Sequence, residues 1–119
     1  MRKMINIKVN YLKLIEIIMD DDEGISSLFI KWGSFGEYIH VSREEYCKEI
    51  YCEFCDQANG ANFDSIRFNY SGGFLAFEVS SPETLVRGRQ ENAVKIDLTN
   101  VGYNENNLTA CLKHIFGLR

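Results

Sequence analysis

The sequence predicts an α+β domain: an antiparallel or mixed sheet of about five to six strands packed by three helices, in the order β-α-β-β-α-β-β-β-α. Three observations lead there. Short alternating segments recur along the chain, apolar stretches with a helical period interrupt them, and the two kinds do not repeat as regular βαβ units.

Met4 to Val9 alternates, with Ile5, Ile7 and Val9 on one side, and predicts a first strand. From Tyr11 the period changes. Lys13, Glu16 and Asp20 fall on one narrow helical stripe, while Tyr11, Leu12, Leu14, Ile15, Ile17, Ile18 and Met19 cover the rest of the circumference. This reads as a mostly buried helix, capped by Asn10 and ended by Asp20-Asp21-Asp22-Glu23-Gly24. Acids at a helix C-terminus oppose its dipole, a small local cost. Ser26 to Trp32 and Glu37 to Val41 read as strands around the turn Gly33-Ser34-Phe35-Gly36. Pairing Trp32 with Glu37 sets Ile30 opposite Ile39 and Leu28 opposite Val41, both apolar pairs.

Ser42 and Glu45 have capping-box spacing and open a second expected helix, which runs to about Ala58 and stops at Asn59-Gly60. Its inner face would be Tyr46, Cys47, Ile50, Tyr51 and Phe54, with Glu45, Glu49, Glu53 and Asp56 outside. A hairpin follows: Ser65 to Ser71 and Phe74 to Ser80 flank Gly72-Gly73, a pair able to take positive φ at both turn positions. That turn sets Tyr70 opposite Leu75, Phe68 opposite Phe77 and Ile66 opposite Val79, with Arg67 and Glu78 paired on the other face. Ser81 to Asn92, holding Pro82, is the longest irregular stretch. Ala93 to Thr99 alternates with Val94, Ile96 and Leu98 inward, and a last helix runs from about Asn106 to Phe116 on a stripe of Leu108, Cys111, Leu112 and Ile115.

At 119 residues the chain has the size of a single domain, expected to span 1–119. A chain this long buries roughly two-thirds of its unfolded surface and needs neither disulfide nor metal to fold. Net charge is −4 and the pI about 5.2. The 13 basic residues are scattered rather than gathered on a face, which argues against nucleic acid as a partner. The stretch after Met1-Arg2-Lys3 is cut by Lys8, Asn10, Lys13 and Glu16, so no signal peptide is expected. No run approaches the ~20 apolar residues of a membrane helix. Four cysteines in this setting read as free thiols, and the expected location is cytoplasmic, with no membrane partner.

Cys47, Cys52 and Cys55 have the spacing C-x4-C-x2-C of a plant-type iron–sulfur protein, followed by Cys111. The residues between them are bulky, and on a helix the three thiols point in different directions, which argues against a cluster. Cys52 and Cys55 could share zinc, but no second CxxC, CxxH or HxxxH completes four ligands. No metal and no cofactor is therefore expected. Phosphate-binding loops are absent, and no glycine-rich elbow surrounds any serine or cysteine. His40 in a strand opposite Phe29 reads as a packed or half-exposed ring, and His114 as a favourable cation near a helix C-terminus.

The remaining feature is acidity. Asp20, Asp21, Asp22 and Glu23 form one dense patch, and Glu45, Glu49 and Glu53 a second along one expected helix face. Such surfaces steer and dock basic partners. Trp32, Phe35, Tyr38 and Tyr103, in or beside turns, are candidate aromatic anchors, Phe35 foremost as a ring at a hairpin tip. In type the chain resembles bacterial immunity proteins: a short acidic α+β domain with free cysteines, no export signal and no catalytic motif. The resemblance covers the chain as a whole and rests on no diagnostic motif, so no family residue is carried over. It implies a non-catalytic inhibitor that binds a basic toxin domain, such as a nuclease, one to one. The alternatives are a small enzyme or ligand-binding domain assembled from Arg87, Arg89, His40 and Cys52, and a homo-oligomer formed through an exposed strand edge.

Overall fold

A computed structural model describes residues 3–33 and 35–117. Ser34 of the expected turn and the Met1-Arg2 segment lie outside the described residues. The chain there forms nine strands, one α-helix and one short 3-10 turn. The strands are β1 (Met4–Lys8), β2 (Leu12–Ile18), β3 (Ile25–Trp32), β4 (Glu37–Glu44), β5 (Ile50–Phe54), β6 (Ala61–Phe63), β7 (Ile66–Ser71), β8 (Phe74–Val79) and β9 (Ala93–Asp97). The helix, α1, is Glu105–Phe116, and the 3-10 turn is Gln57–Asn59. They build two sheets, a four-stranded one ordered β1-β9-β8-β7 and a five-stranded antiparallel one ordered β2-β3-β4-β5-β6. Only β1 and β9 run parallel.

The expected three-helix architecture is thus wrong: two of the three helices are strands. The first, expected from Tyr11 to Asp20, is β2, an edge strand paired to β3. Leu12, Ile15 and Ile17 face inward, opposite Trp32, Ile30 and Leu28, while Leu14, Glu16 and Ile18 face outward. Lys13 sits where the register shifts, so an extra residue breaks the period of two and leaves apolar residues on both faces. That pattern imitates a helix buried all round. Three isoleucines in four positions favour the strand because their branched Cβ fits a pleated surface. With no helix, the acids at 20–23 oppose no dipole. They form the β2–β3 turn, where the Asp21 carboxylate accepts the backbone N–H groups of Glu23 at 2.8 Å and Ile25 at 2.9 Å.

The second expected helix, Ser42 to Ala58, is the end of β4, a loop, all of β5 and the 3-10 turn. Ser42 caps nothing and pairs with Tyr51 across β4 and β5. In β5 a period of two takes over, burying Ile50, Cys52 and Phe54 and turning Tyr51 and Glu53 outward. The helical reading agrees with this at Ile50 and Phe54 and fails at Tyr51 and Cys52. The exposed edge of the β3–β4 hairpin offers β5 a full ladder of hydrogen bonds, and tertiary pairing overrides local propensity.

The remaining elements fold as read. The β3–β4 register sets Trp32 against Glu37, Ile30 against Ile39 and Leu28 against Val41. The β7–β8 hairpin has Tyr70–Leu75, Phe68–Phe77, Ile66–Val79 and Arg67–Glu78 pairs, closed by Gly72 and Gly73 at φ 58° and 89°. Leu108, Cys111, Leu112 and Ile115 of α1 are fully buried, as are Val94 and Ile96 of β9 and, just beyond it, Leu98. Helix α1 packs on β2 and β3 of one sheet and on β7 of the other, joining both layers into one core. The irregular stretch before β9 is pinned by buried Leu85, whose N–H donates to Glu91 O at 3.0 Å. Among the described residues no helix is long and apolar enough to cross a membrane.

The cysteines follow from this arrangement. Cys52 lies on the inner side of β5 opposite Val41, and burial pushes its thiol up to about 12. Burial raises Cys111 to about 11. Cys55 sits beyond β5 at φ 62° and its thiol donates to Tyr38 O at 3.4 Å. In the folded chain Cys52 and Cys111 are expected to resist alkylation at neutral pH and to react only on unfolding. Mass-mapped iodoacetamide labelling with and without denaturant checks this, and rapid native labelling of Cys52 would contradict the inner-face assignment.

Candidate functional site

Two acidic segments about twenty residues apart in sequence meet at one end of the five-stranded sheet. The β2–β3 turn carries Asp20, Asp21, Asp22 and Glu23, while Glu44 ends β4 and Glu45 and Glu49 lie in the β4–β5 loop, all exposed. The backbone joins them: Glu45 N–H donates to Gly24 O at 2.7 Å. Gly24 holds φ 74°, and a Cβ there would stand 3.0 Å from Glu45 Oε2, so the two segments approach closely because this residue is glycine. Tyr46, at φ 64° and 87% exposed, projects from the loop, with the exposed Met19 on the neighbouring turn. Beside them a hollow of about 230 Å³ is lined by Ile25, Ser42, Glu44, Glu49, Tyr51 and Asn62, among others.

This end is fixed to the helix by Arg43 and His114. Arg43 Nε donates to Cys47 O at 2.7 Å, and its Nη1 to Ile115 O at 2.9 Å and Gly117 O at 2.8 Å. His114 faces Asp20 at 3.1 Å. The Arg43 guanidinium sits where a helix C-terminus favours positive charge.

The outward side of the same sheet is built of cross-strand rows. One row is Glu16, Phe29, His40 and Glu53, and its neighbours bring Tyr38 and Tyr51 beside Glu53. Phe29 stacks on Tyr38 at 5.4 Å between centroids, and His40 meets Phe29 and Tyr51 edge-on at 5.9 and 6.0 Å. The phenols of Tyr38 and Tyr51 both donate to the Glu53 carboxylate, one to each oxygen. Gly60 makes room for this, since a Cβ there would fall 2.0 Å from the Tyr51 hydroxyl.

These donors hold the Glu53 carboxyl below its usual range. Tyr51 is pushed up to about 12, chiefly by its bond to Glu53. Tyr38 is raised further, first by burial and then by the same carboxylate. Burial lowers His40. Both tyrosines have raised folded values, so their stabilising contribution is complete below pH 10.0 and is lost as pH climbs through those values, about 12 for Tyr51. Absorbance titration of tyrosinate is expected to show two late phenols. Glu53→Gln should return Tyr51 toward 10.0 and move Tyr38 less; an unchanged titration would remove the carboxylate from this role.

The anticipated contact residues therefore divide. Asp20, Asp21, Asp22, Glu23, Glu45 and Glu49 come together. Glu53 does not join them, because a strand rather than a helix carries it, and it lies partly buried among rings. Phe35 is 92% exposed but tips the opposite turn of the β3–β4 hairpin, about 25 Å away along eight-residue β3. Trp32 is buried against Phe54, which excludes it as an anchor, and Tyr103 is partly buried and bonded to Tyr70. Tyr46 and Tyr51, expected on the inner face of a helix, instead face outward; the alternation of Ile50 to Phe54 was the signal for Tyr51.

The alternative catalytic set is not assembled. His40 and Cys52 lie on opposite faces of the sheet, and Arg89 pairs with Glu91 at 2.6 Å in the irregular stretch before β9, where Arg87 N–H bonds Asn59. Among the described residues no group of three or more His, Cys, Asp or Glu side chains is placed to hold a metal ion. Compared with known proteins, the chain matches no family model, no curated protein and no solved structure, so its function is read from its own geometry.

Proposed function

We propose that the chain is a non-catalytic protein-binding inhibitor, of the kind an immunity protein is to its toxin, and that it docks a basic protein domain on the acidic end. One observation carries the reading: two acidic segments converge around an exposed tyrosine on a backbone fixed by Gly24 and Arg43. Acids steer a basic partner and set its register, and a large ring at the centre supplies the desolvated anchor that charge alone lacks. A nuclease domain, whose basic groups hold phosphates, has the complementary chemistry.

The test begins with capture of a stoichiometric partner from lysate at low salt and continues with its purified form. Affinity is expected to fall steeply with ionic strength, and Asp21→Lys, Asp22→Lys and Glu45→Lys together to weaken it about 100-fold, mostly through association rate. A partner bound equally well by the triple variant, with the same salt dependence, ends this reading.

A second reading, pairing of two copies through β2, is favoured by that strand's exposure. None of its residues is fully buried, and Leu14 and Ile18 are 44% and 39% exposed on an open edge. Lys13 and its bulge oppose such pairing. Sedimentation over a wide concentration range decides: a constant 13.7 kDa species excludes it.

A further inference from the structure

The outward face of the five-stranded sheet has a chemistry of its own. Glu53 stands at one end of a ring surface formed by Phe29, Tyr38, His40 and Tyr51, all partly buried. Each of its oxygens already accepts one phenol, and each keeps a further lone-pair direction. A carboxylate fixed by two neutral donors keeps its charge, and among the described residues no lysine or arginine lies within ion-pair distance of it. Lys31 is in the neighbouring row, beside Tyr38, and makes no ion pair with it. Glu16 ends the same row on the far side of Phe29, so the face is negative at both ends and aromatic between.

We propose that this face is an arginine-binding site, in which Glu53 accepts the forked guanidinium of a protein partner while the neighbouring rings hold its plane. The occupant follows from complementarity. Two free lone-pair directions on a fixed carboxylate match a planar fork better than the single point charge of an ammonium. Ring faces attract cations, and a guanidinium lies flat on them. Tyr51 joins the site to the acidic end, because it also lines the hollow beside Glu44 and Glu49. The proposal names the side chain that the basic partner inserts, and so rests on the reading of a basic protein partner.

The test needs no partner. The full chain is titrated with a blocked arginine, N-acetyl-arginine methylamide, and with the lysine and citrulline analogues, while ring signals of Tyr38, His40 and Tyr51 are followed by NMR. The arginine probe is expected to shift these signals saturably, with a dissociation constant on the order of millimolar, the lysine probe several-fold more weakly and citrulline not at all. Glu53→Gln should weaken the arginine response at least tenfold, whereas Glu83→Gln, exposed in the irregular stretch before β9, should leave it intact. Absence of ring shifts, an equal response to citrulline, or a response that survives Glu53→Gln overturns the site. The citrulline comparison uses the wild-type chain and stands even if a variant folds poorly. Failure of the acidic-end reading would appear separately, as salt-insensitive partner binding alongside an intact arginine titration.

Discussion

Phe77→Ala is expected to destabilise the fold by about 3–5 kcal/mol, a large share of the roughly 5–15 kcal/mol that holds a domain of this size. Phe77 is fully buried on β8, opposite Phe68 on one side and Val94 on the other. Its ring lies 5.9 Å from Phe116 of α1, which also meets Phe68 at 4.9 Å. This cluster is where the helix grips the four-stranded sheet, while Leu108, Cys111, Leu112 and Ile115 fill the core of which the other sheet forms the far wall. Truncation leaves a cavity that the hairpin cannot close, since Gly72-Gly73 and six paired residues per strand fix β7 against β8. Urea unfolding followed by Trp32 fluorescence measures the loss. Phe77→Leu should cost less than half as much, and a cost below about 1 kcal/mol for the alanine variant would mean that α1 does not rely on this contact.

How much of this was legible in the sequence depends on how local each signal is. The β7–β8 hairpin was legible because its turn requires positive φ at two successive positions, which Gly72 and Gly73 supply, and because three apolar pairs and one opposite-charge pair share that register. Helix α1 was legible because its stripe is uninterrupted and its core positions are all apolar. β2 was not, because the extra residue at Lys13 and an apolar outer face on an open edge erase the period of two. β5 was hidden differently. It is bounded by Tyr46 and Cys55 in left-handed conformations that ordinary residues rarely adopt, and Ser42 and Glu45 happen to have capping-box spacing. The acids of the candidate site were recognisable one by one, but their convergence depends on which strands pair. Helical spacing put Glu45, Glu49 and Glu53 on one face, whereas the sheet sends Glu53 into the aromatic surface and brings Glu45 to Gly24.

Arg43→Ala is expected to cost about 2–4 kcal/mol and to weaken partner binding, although it makes the acidic end more negative. The guanidinium donates to Cys47 O, Ile115 O and Gly117 O, two of them at the end of α1 where carbonyls lack intrahelical partners. Without it these carbonyls lose a charged donor and the loop holding Glu45, Tyr46 and Glu49 loses its tie to the helix. Arg43→Lys should recover less than half of the stability, because one ammonium cannot reproduce the geometry of Nε and Nη1 together. The binding result separates two accounts of the acidic end. If long-range attraction alone held a basic partner, loss of a positive charge would raise affinity. If the partner reads a fixed constellation around Tyr46, the association rate should rise slightly with the added negative charge while dissociation accelerates tenfold or more, because the untied loop no longer holds the docked geometry. Stopped-flow association and dissociation rates for the wild type and Arg43→Ala, measured at one ionic strength, distinguish the two directly. A variant that binds more tightly than the wild type would show that charge, rather than the fixed geometry of the loop, holds the partner.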